Sequence, residues 1–90
     1  GEINMIVKDN INVNMNIVEL SNKVDYMTND EIVLYFKILN VKYGVTKVHL
    51  AKVCGISRQI ITQIFNDDLS HISENRLREI AHKVAQYYIY

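Results

Sequence analysis

Between residues 11 and 17 the chain alternates apolar side chains with asparagine (Ile11, Asn12, Val13, Asn14, Met15, Asn16, Ile17). A period of two places every apolar residue on one face of a strand, whereas helical spacing would scatter them. Ile3, Met5 and Val7 alternate as well, and Asp9-Asn10 between the two runs has turn chemistry. A register pairing Val7 with Val13, Met5 with Met15 and Ile3 with Ile17 predicts a β-hairpin over 3–18, closed by a three-residue loop at 9–11. Asparagine is a poor strand former, so a partly ordered polar tail stays open as the alternative. Residues 19–27, with Leu20, Val24 and Met27 at helical spacing, read as a short helix or a loop.

From Thr28 the period changes. Thr28-Asn29-Asp30-Glu31 is a capping box, in which the threonine hydroxyl and the glutamate carboxylate each satisfy a backbone N–H of the other. The helix it starts should run to Lys42 or Tyr43 and stop at Gly44. Ile32, Phe36, Leu39 and Tyr43 form one stripe, while Val33, Leu34, Ile38 and Val41 spread over the rest. A helix apolar nearly all round needs partners on more than one side. The hairpin or a second subunit is the expected cover. The rival reading of 31–39 is a strand, since it is rich in β-branched and aromatic residues.

Residues 47–66, KVHLAKVCGISRQIITQIFN, predict two short helices joined by a tight turn. Thr46 can cap the first, whose inner face carries Leu50 and Ala51, the alanine leaving room for a close crossing. Gly55 can take the positive φ that ends it. Ile56 plugs the turn, and Ser57 caps the second helix. Ile61 and Ile64 point back onto the first helix, while Arg58, Gln59, Thr62 and Gln63 face outward. A loop follows at 67–70. Ser73 then caps a last helix over 74–88, with Leu77, Ile80, Ala81, Val84 and Tyr88 as its inner stripe and Ile72 tucked beneath.

The pattern Leu50-Ala51, Gly55-Ile56-Ser57, Ile61 and Ile64 resembles the Cro and lambda-repressor type (XRE-like) of helix-turn-helix DNA-binding proteins. The resemblance covers 28–88 and leaves the first 27 residues outside it. It implies a mainly α fold, a four- to five-helix lambda-repressor-like bundle, here carrying an N-terminal β-hairpin or strand. The expected division is therefore an N-terminal arm at 1–27 and a helix-turn-helix domain at 28–90. It also implies that the helix at about 57–66 enters the major groove of double-stranded DNA. Arg58 and Gln59 match the family's base-reading positions, and Leu77, Ile80, Ala81 and Val84 match the stripe of its closing helix. The chain departs from the family after that helix. Phe65-Asn66-Asp67-Asp68 stands where many members have Glu-Asn-Gly and a basic, proline-containing loop.

Composition narrows this picture. Ninety residues make one domain, near the lower end of what a single core stabilises without staples. One cysteine, Cys54, permits no internal disulfide, so a cytoplasmic chain held together by packing is expected. No apolar run is long enough for a membrane span. The formal net charge is zero, which argues against a nucleic-acid partner until its distribution is considered. Residues 1–41 carry three basic against six acidic side chains, a balance of −3, and 42–90 carry seven against four, a balance of +3. The positive charge lies on the half with the motif.

The outward face supplies readout chemistry. Arg58 can donate a bidentate pair to guanine, and Gln59 can both donate to and accept from adenine. Thr62 and Gln63 reach a base edge or a phosphate one turn on, and Ile60 is placed for a thymine methyl or for partial burial. Thr46, Lys47, Lys52 and Ser57 are the expected phosphate contacts, which fix register without reading sequence. The opposing reading is a merely solvated helix face. Asp67 and Asp68 would repel a phosphate backbone unless the loop tilts them away.

No catalytic constellation, cofactor or metal site is expected, and so small a core makes an enzyme improbable. His49, His71 and His82 lack ligand spacing. Cys54 reads as a small buried apolar residue, and the aromatic tail at 87–90 as packing or interface. Two function classes remain. One is a sequence-specific, repressor-like transcriptional regulator, a homodimer on a palindromic operator, with Ile11, Val13, Met15 and Ile17 at the dimer interface. The other is a protein-binding module on a helix-turn-helix scaffold, antitoxin-like or an inhibitor of a host or phage protein.

Overall fold

The computed structural model describes residues 15–89, and each of the five α-helices there begins where a side-chain oxygen occupies a free backbone N–H. Asn16 caps α1 (Ile17–Asn22) by accepting from the Glu19 N–H at 2.9 Å. A 3-10 turn (Val24–Tyr26) then leads to α2 (Asn29–Tyr43). Thr28 and Glu31 form the expected capping box of α2, with Thr28 N–H donating to Glu31 Oε1 at 2.9 Å and Glu31 N–H to Thr28 Oγ1 at 3.3 Å. Thr46 caps α3 (Lys47–Cys54), Ser57 caps α4 (Arg58–Phe65) and Ser73 caps α5 (Glu74–Ile89). Gly44 and Gly55 end α2 and α3 in the left-handed conformation, at φ 68° and 64°.

The strand expected up to residue 18 is not what its described end forms. Ile17 and Val18 lie in α1, and among the described residues there is no strand. The period of two misled because Asn16, read as a solvent-facing strand residue, is a helix cap, with Glu19 adding a favourable charge in the first turn. The rest of the expected hairpin, Ile11 and Val13 included, lies outside the described residues.

The core likewise does not stop at Thr28. Leu20, Val24 and Met27 are at most 1 % exposed and belong to the same cluster as Phe36, Leu50, Ile61 and Leu77. α1 packs on α5 and on α2. Tyr35 of α2 is fully buried, and its hydroxyl is 2.8 Å from that of Ser21, also buried. An unpaired buried hydroxyl costs about 1–3 kcal/mol, so α1 is needed to satisfy α2 as well as to cover it. Burial pushes the Tyr35 phenol above the ordinary tyrosine range.

Ile32, Val33, Tyr35, Phe36, Ile38 and Leu39 are buried within one chain, where α2 packs on α1, α4 and α5. A second subunit is not required for this burial, and most of the expected hairpin lies outside the described residues. Val41 alone of the expected apolar set is well exposed.

α5 closes the bundle with Leu77, Ile80, Ala81, Val84 and Ala85 buried, and Tyr88 and Ile72 half-buried against the core. It also ties down the N-terminal part. The Arg78 guanidinium donates to the carbonyls of Val24 and Asp25 at 3.1 Å each and of Met27 at 2.6 Å, capping the 3-10 turn from 51 or more residues away. One turn on, His82 Nδ1 lies 3.0 Å from Asp25 Oδ1 in a half-exposed pair. Cys54 is buried with its thiol 3.6 Å from the Ile80 carbonyl, and burial raises its pKa to about 11, which keeps it protonated.

Arg78→Ala should therefore destabilise the fold by about 1–2 kcal/mol, since hydrogen bonds from a charged donor contribute more than neutral ones and this one is half-buried. Arg78→Lys should not restore it, because one ammonium cannot span three carbonyls in the fork geometry of a guanidinium. Urea denaturation followed by circular dichroism measures both. An Arg78→Ala midpoint indistinguishable from that of the parent chain would show that the clamp contributes nothing.

Candidate nucleic-acid interface

Two eight-residue helices, α3 and α4, meet through the turn Gly55-Ile56-Ser57. Gly55 N–H donates to the Lys52 carbonyl and Ile56 N–H to that of Ala51, so the last carbonyls of α3 are satisfied as the chain reverses. Ile56 is half-buried against the core, as a turn plug must be. Leu50, Ala51 and Cys54 of α3 and Ile61 and Ile64 of α4 are all buried. This fixes α4 by its inner face and leaves its outer face free.

That outer face carries the expected readout residues. Arg58, Gln59 and Thr62 are exposed and Gln63 is half-exposed. None of the four side chains is tied by a hydrogen bond to the rest of the described chain. Ile60 takes the partly buried alternative, packed against the core.

The expected phosphate contacts divide between places. Thr46 and Ser57 are exposed at the two helix starts, where each side-chain oxygen already accepts a capping N–H, from His49 at 3.1 Å and from Ile60 at 3.3 Å. A hydroxyl that accepts in this way keeps its proton for a second partner. Lys47 is exposed, with its ammonium 5.0 Å from the centre of the Phe65 ring, so it bridges the start of α3 and the end of α4. Lys52 lies elsewhere, in a groove between α3 and α5 with His49, Val53, Lys83, Gln86 and Tyr87.

Of the expected interface residues, Met15 and Ile17 are half-buried against the core of their own chain. The Met15 carbonyl accepts from Tyr43 Oη at 3.1 Å and from Lys42 Nζ at 3.4 Å, which sets the start of α1 against the end of α2. Val18 and Val41 are the large apolar side chains exposed on those two helices.

The charges on and after α4 run against its dipole. A helix carries partial positive charge at its N-terminus and negative at its C-terminus. α2 obeys this, with Asp30 and Glu31 in its first turn and Lys42 in its last. α4 has Arg58 at its first position, no acid in its first turn and no base in its last. Past its end stand Asp67, held at φ 59°, and Asp68. Both are exposed. Ser70 Oγ donates to Asp68 Oδ1 at 2.7 Å, and this hydrogen bond holds the carboxyl below the usual aspartate range. The loop is thus fixed, with a carboxylate ionised at neutral pH.

Sequence reasoning missed the α3/α5 groove and the Arg78 clamp. The groove has a signal in hindsight: His49, Lys52 and Val53, and Lys83, Gln86 and Tyr87, are both i, i+3, i+4 sets. Nothing in the spacing says that the two helices lie side by side. Among the described residues no cluster of histidine, cysteine, aspartate or glutamate could hold a metal ion, and no helix is long and apolar enough to cross a membrane. Comparison with family models, with curated proteins and with solved structures finds no match for this chain.

Proposed function

We propose that the chain is a sequence-specific double-stranded DNA-binding regulator, of the Cro and lambda-repressor type that its α3–turn–α4 sequence resembles, with α4 in the major groove. The observation that carries the reading is the state of α4. Its inner isoleucines are fully buried while the side chains of Arg58, Gln59 and Thr62 stand exposed with no hydrogen bond among the described residues. A short rigid helix presenting unengaged donors and acceptors is the form that base-edge readout requires. Thr46, Lys47 and Ser57 flank it as phosphate contacts.

Dimerisation on a palindromic operator belongs to this reading, since two such helices about 34 Å apart would enter successive major grooves. With α2 already covered, the support for a dimer narrows to the N-terminal segment and to Val18 and Val41 beside it, the two exposed valines of α1 and α2. Sedimentation equilibrium at micromolar concentration should give a dimer, and Val18→Asp with Val41→Asp should give a folded monomer. A monomeric parent chain, or an undiminished dimer of the double variant, overturns this arrangement.

For readout, Arg58→Ala and Gln59→Ala should each lose about 1–3 kcal/mol of affinity for DNA selected from random duplexes, with unchanged thermal stability. Lys47→Ala should weaken all sequences alike. Arg58 and Gln59 variants that bind selected sites as tightly as the parent would remove α4 from the groove.

A second reading has its own observation. Asp67 and Asp68 place two exposed carboxylates directly after α4, which suits a protein partner better than a phosphate backbone. Asp67→Asn with Asp68→Asn should raise non-specific DNA affinity and steepen its salt dependence if the loop lies near the backbone. No change in DNA binding, together with loss of a protein partner, would favour the protein-binding module.

A further inference from the structure

The α3/α5 groove is a surface feature that the reading of α4 does not use. It is an open depression of about 690 Å³ lined by His49, Lys52, Val53, Lys83, Gln86 and Tyr87. Three properties define what it can hold.

The first is charge. Two ammonium groups, Lys52 and Lys83, line it with no carboxylate among the lining residues, although the chain as a whole is neutral. Lys83 Nζ is 3.5 Å from the Cys54 carbonyl, which anchors the ammonium at the C-terminal end of α3 and leaves its other two protons for a ligand. The second is an aromatic anchor. Tyr87 is 54 % exposed, yet its ring is held at near right angles by His49, with centres 5.3 Å apart, and by Tyr88 at 5.0 Å. A large exposed ring that is already immobilised loses little conformational entropy on binding, which is the character of an interface hot spot. With Val53 it forms an apolar wall beside the charges. The third is position. α3 packs on both α4 and α5, and the groove lies at the α3/α5 junction, with no residue of α4 among those that line it.

We infer that this groove docks an acidic segment of a protein partner, with a carboxylate between Lys52 and Lys83 and an apolar side chain against Val53 and Tyr87. A peptide fits the lining better than single-stranded nucleic acid does. Binding along a nucleic-acid strand uses successive stacking rings, whereas the His49 and Tyr87 rings here meet edge to face and offer no run of parallel faces. The inference does not depend on whether α4 reads DNA, and its test uses no duplex.

The experiment is a titration of the isotopically labelled full chain, followed by amide chemical shifts, with three probes. These are a blocked hexapeptide Asp-Leu-Glu-Phe-Asp-Leu, the same peptide with Asn and Gln in place of its acids, and oligothymidylate. The acidic peptide should shift the amides of His49, Lys52, Val53, Lys83, Gln86 and Tyr87, and should bind about tenfold tighter than its neutral counterpart, as desolvated charge pairing at an interface implies. Tyr87→Ala and Lys83→Glu should each weaken it about tenfold. Lys83→Gln, which keeps the side-chain bulk, should fall between and serves if the reversal unfolds the chain. Equal binding of the acidic and neutral peptides, shifts centred outside the groove, or tighter binding of oligothymidylate at these residues would each overturn the assignment.

Discussion

Everything in this bundle follows from the need to bury α2. Six of its large side chains, from Ile32 to Leu39, are at most 4 % exposed, and they point to more than one side of the helix. Burying each contributes about 1.5–3 kcal/mol, more than any single cap at about 1 kcal/mol. Burial therefore decides the architecture, and the capping residues decide only where each helix begins. α1, α4 and α5 are arranged as they are because α2 leaves only one narrow stripe, Asp30, Leu34, Lys37 and Val41, toward water. Tyr35 sharpens the constraint. A phenol in the centre of a core needs a partner for its hydroxyl, and Ser21 supplies it from α1. The N-terminal helix is thus part of the fold's polar satisfaction as well as its apolar cover.

That arrangement places the rest. With α2 taking the inner face of α4 through the core around Phe36 and Ile61, α4 can expose only its polar side. α3 holds it there through a turn that requires a left-handed residue, and glycine adopts that conformation where a Cβ would add about 1–2 kcal/mol of strain. α5 also packs on α3, and their junction leaves a groove lined by Lys52 and Lys83 beside Val53 and Tyr87. The outer face of α4 and the groove are both products of α3 having two helical neighbours. One faces outward as a surface and the other as a cleft.

The four helices from Asn29 to Ile89 were legible to within a residue or two, because their boundaries are set by local chemistry: Thr28 with Glu31, Gly44, Thr46, Gly55, Ser57 and Ser73. The outward set Arg58, Gln59, Thr62 and Gln63 was legible for a related reason, since Ile61 and Ile64 fix the phase of one short helix. What failed was tertiary. Asn16 serves equally as a strand residue and as a helix cap, and only the burial of Leu20 and Ser21 against α5 and α2 selects the cap. The cover of α2 was expected from a hairpin or a second subunit, whereas part of it comes from α1 in the stretch that spacing left as a short helix or a loop. Arg78, an ordinary charged residue by pattern, acquires its role from carbonyls more than fifty positions away. Lys52 stands five residues from Lys47, on another side of α3, and what periodicity does not encode is that α5 lies beside it there.

The charge pattern of α4 remains to be set against its stability. Arg58 sits at the positive end of the helix dipole and Asp67 and Asp68 stand beyond the negative end, each opposed in sign to what the dipole favours. Asp67 adds the strain of a positive φ, which aspartate tolerates better than most residues but not as glycine does. Ser70 holds the Asp68 carboxylate by a hydrogen bond, whereas Arg58 and Asp67 are exposed with no side-chain partner among the described residues. Local rules are broken in this way where a surface acts outward. The effect on a partner is directional. An anion approaching the first turn of α4 meets the Arg58 guanidinium and the free N–H groups of the helix start together, while one approaching the last turn meets two carboxylates and the terminal carbonyls. A phosphate backbone or acidic partner is therefore drawn to the Arg58 end and excluded from the Asp67 end. Base reading, if α4 enters a groove, is confined to its first turn and a half, where Arg58, Gln59 and Thr62 stand.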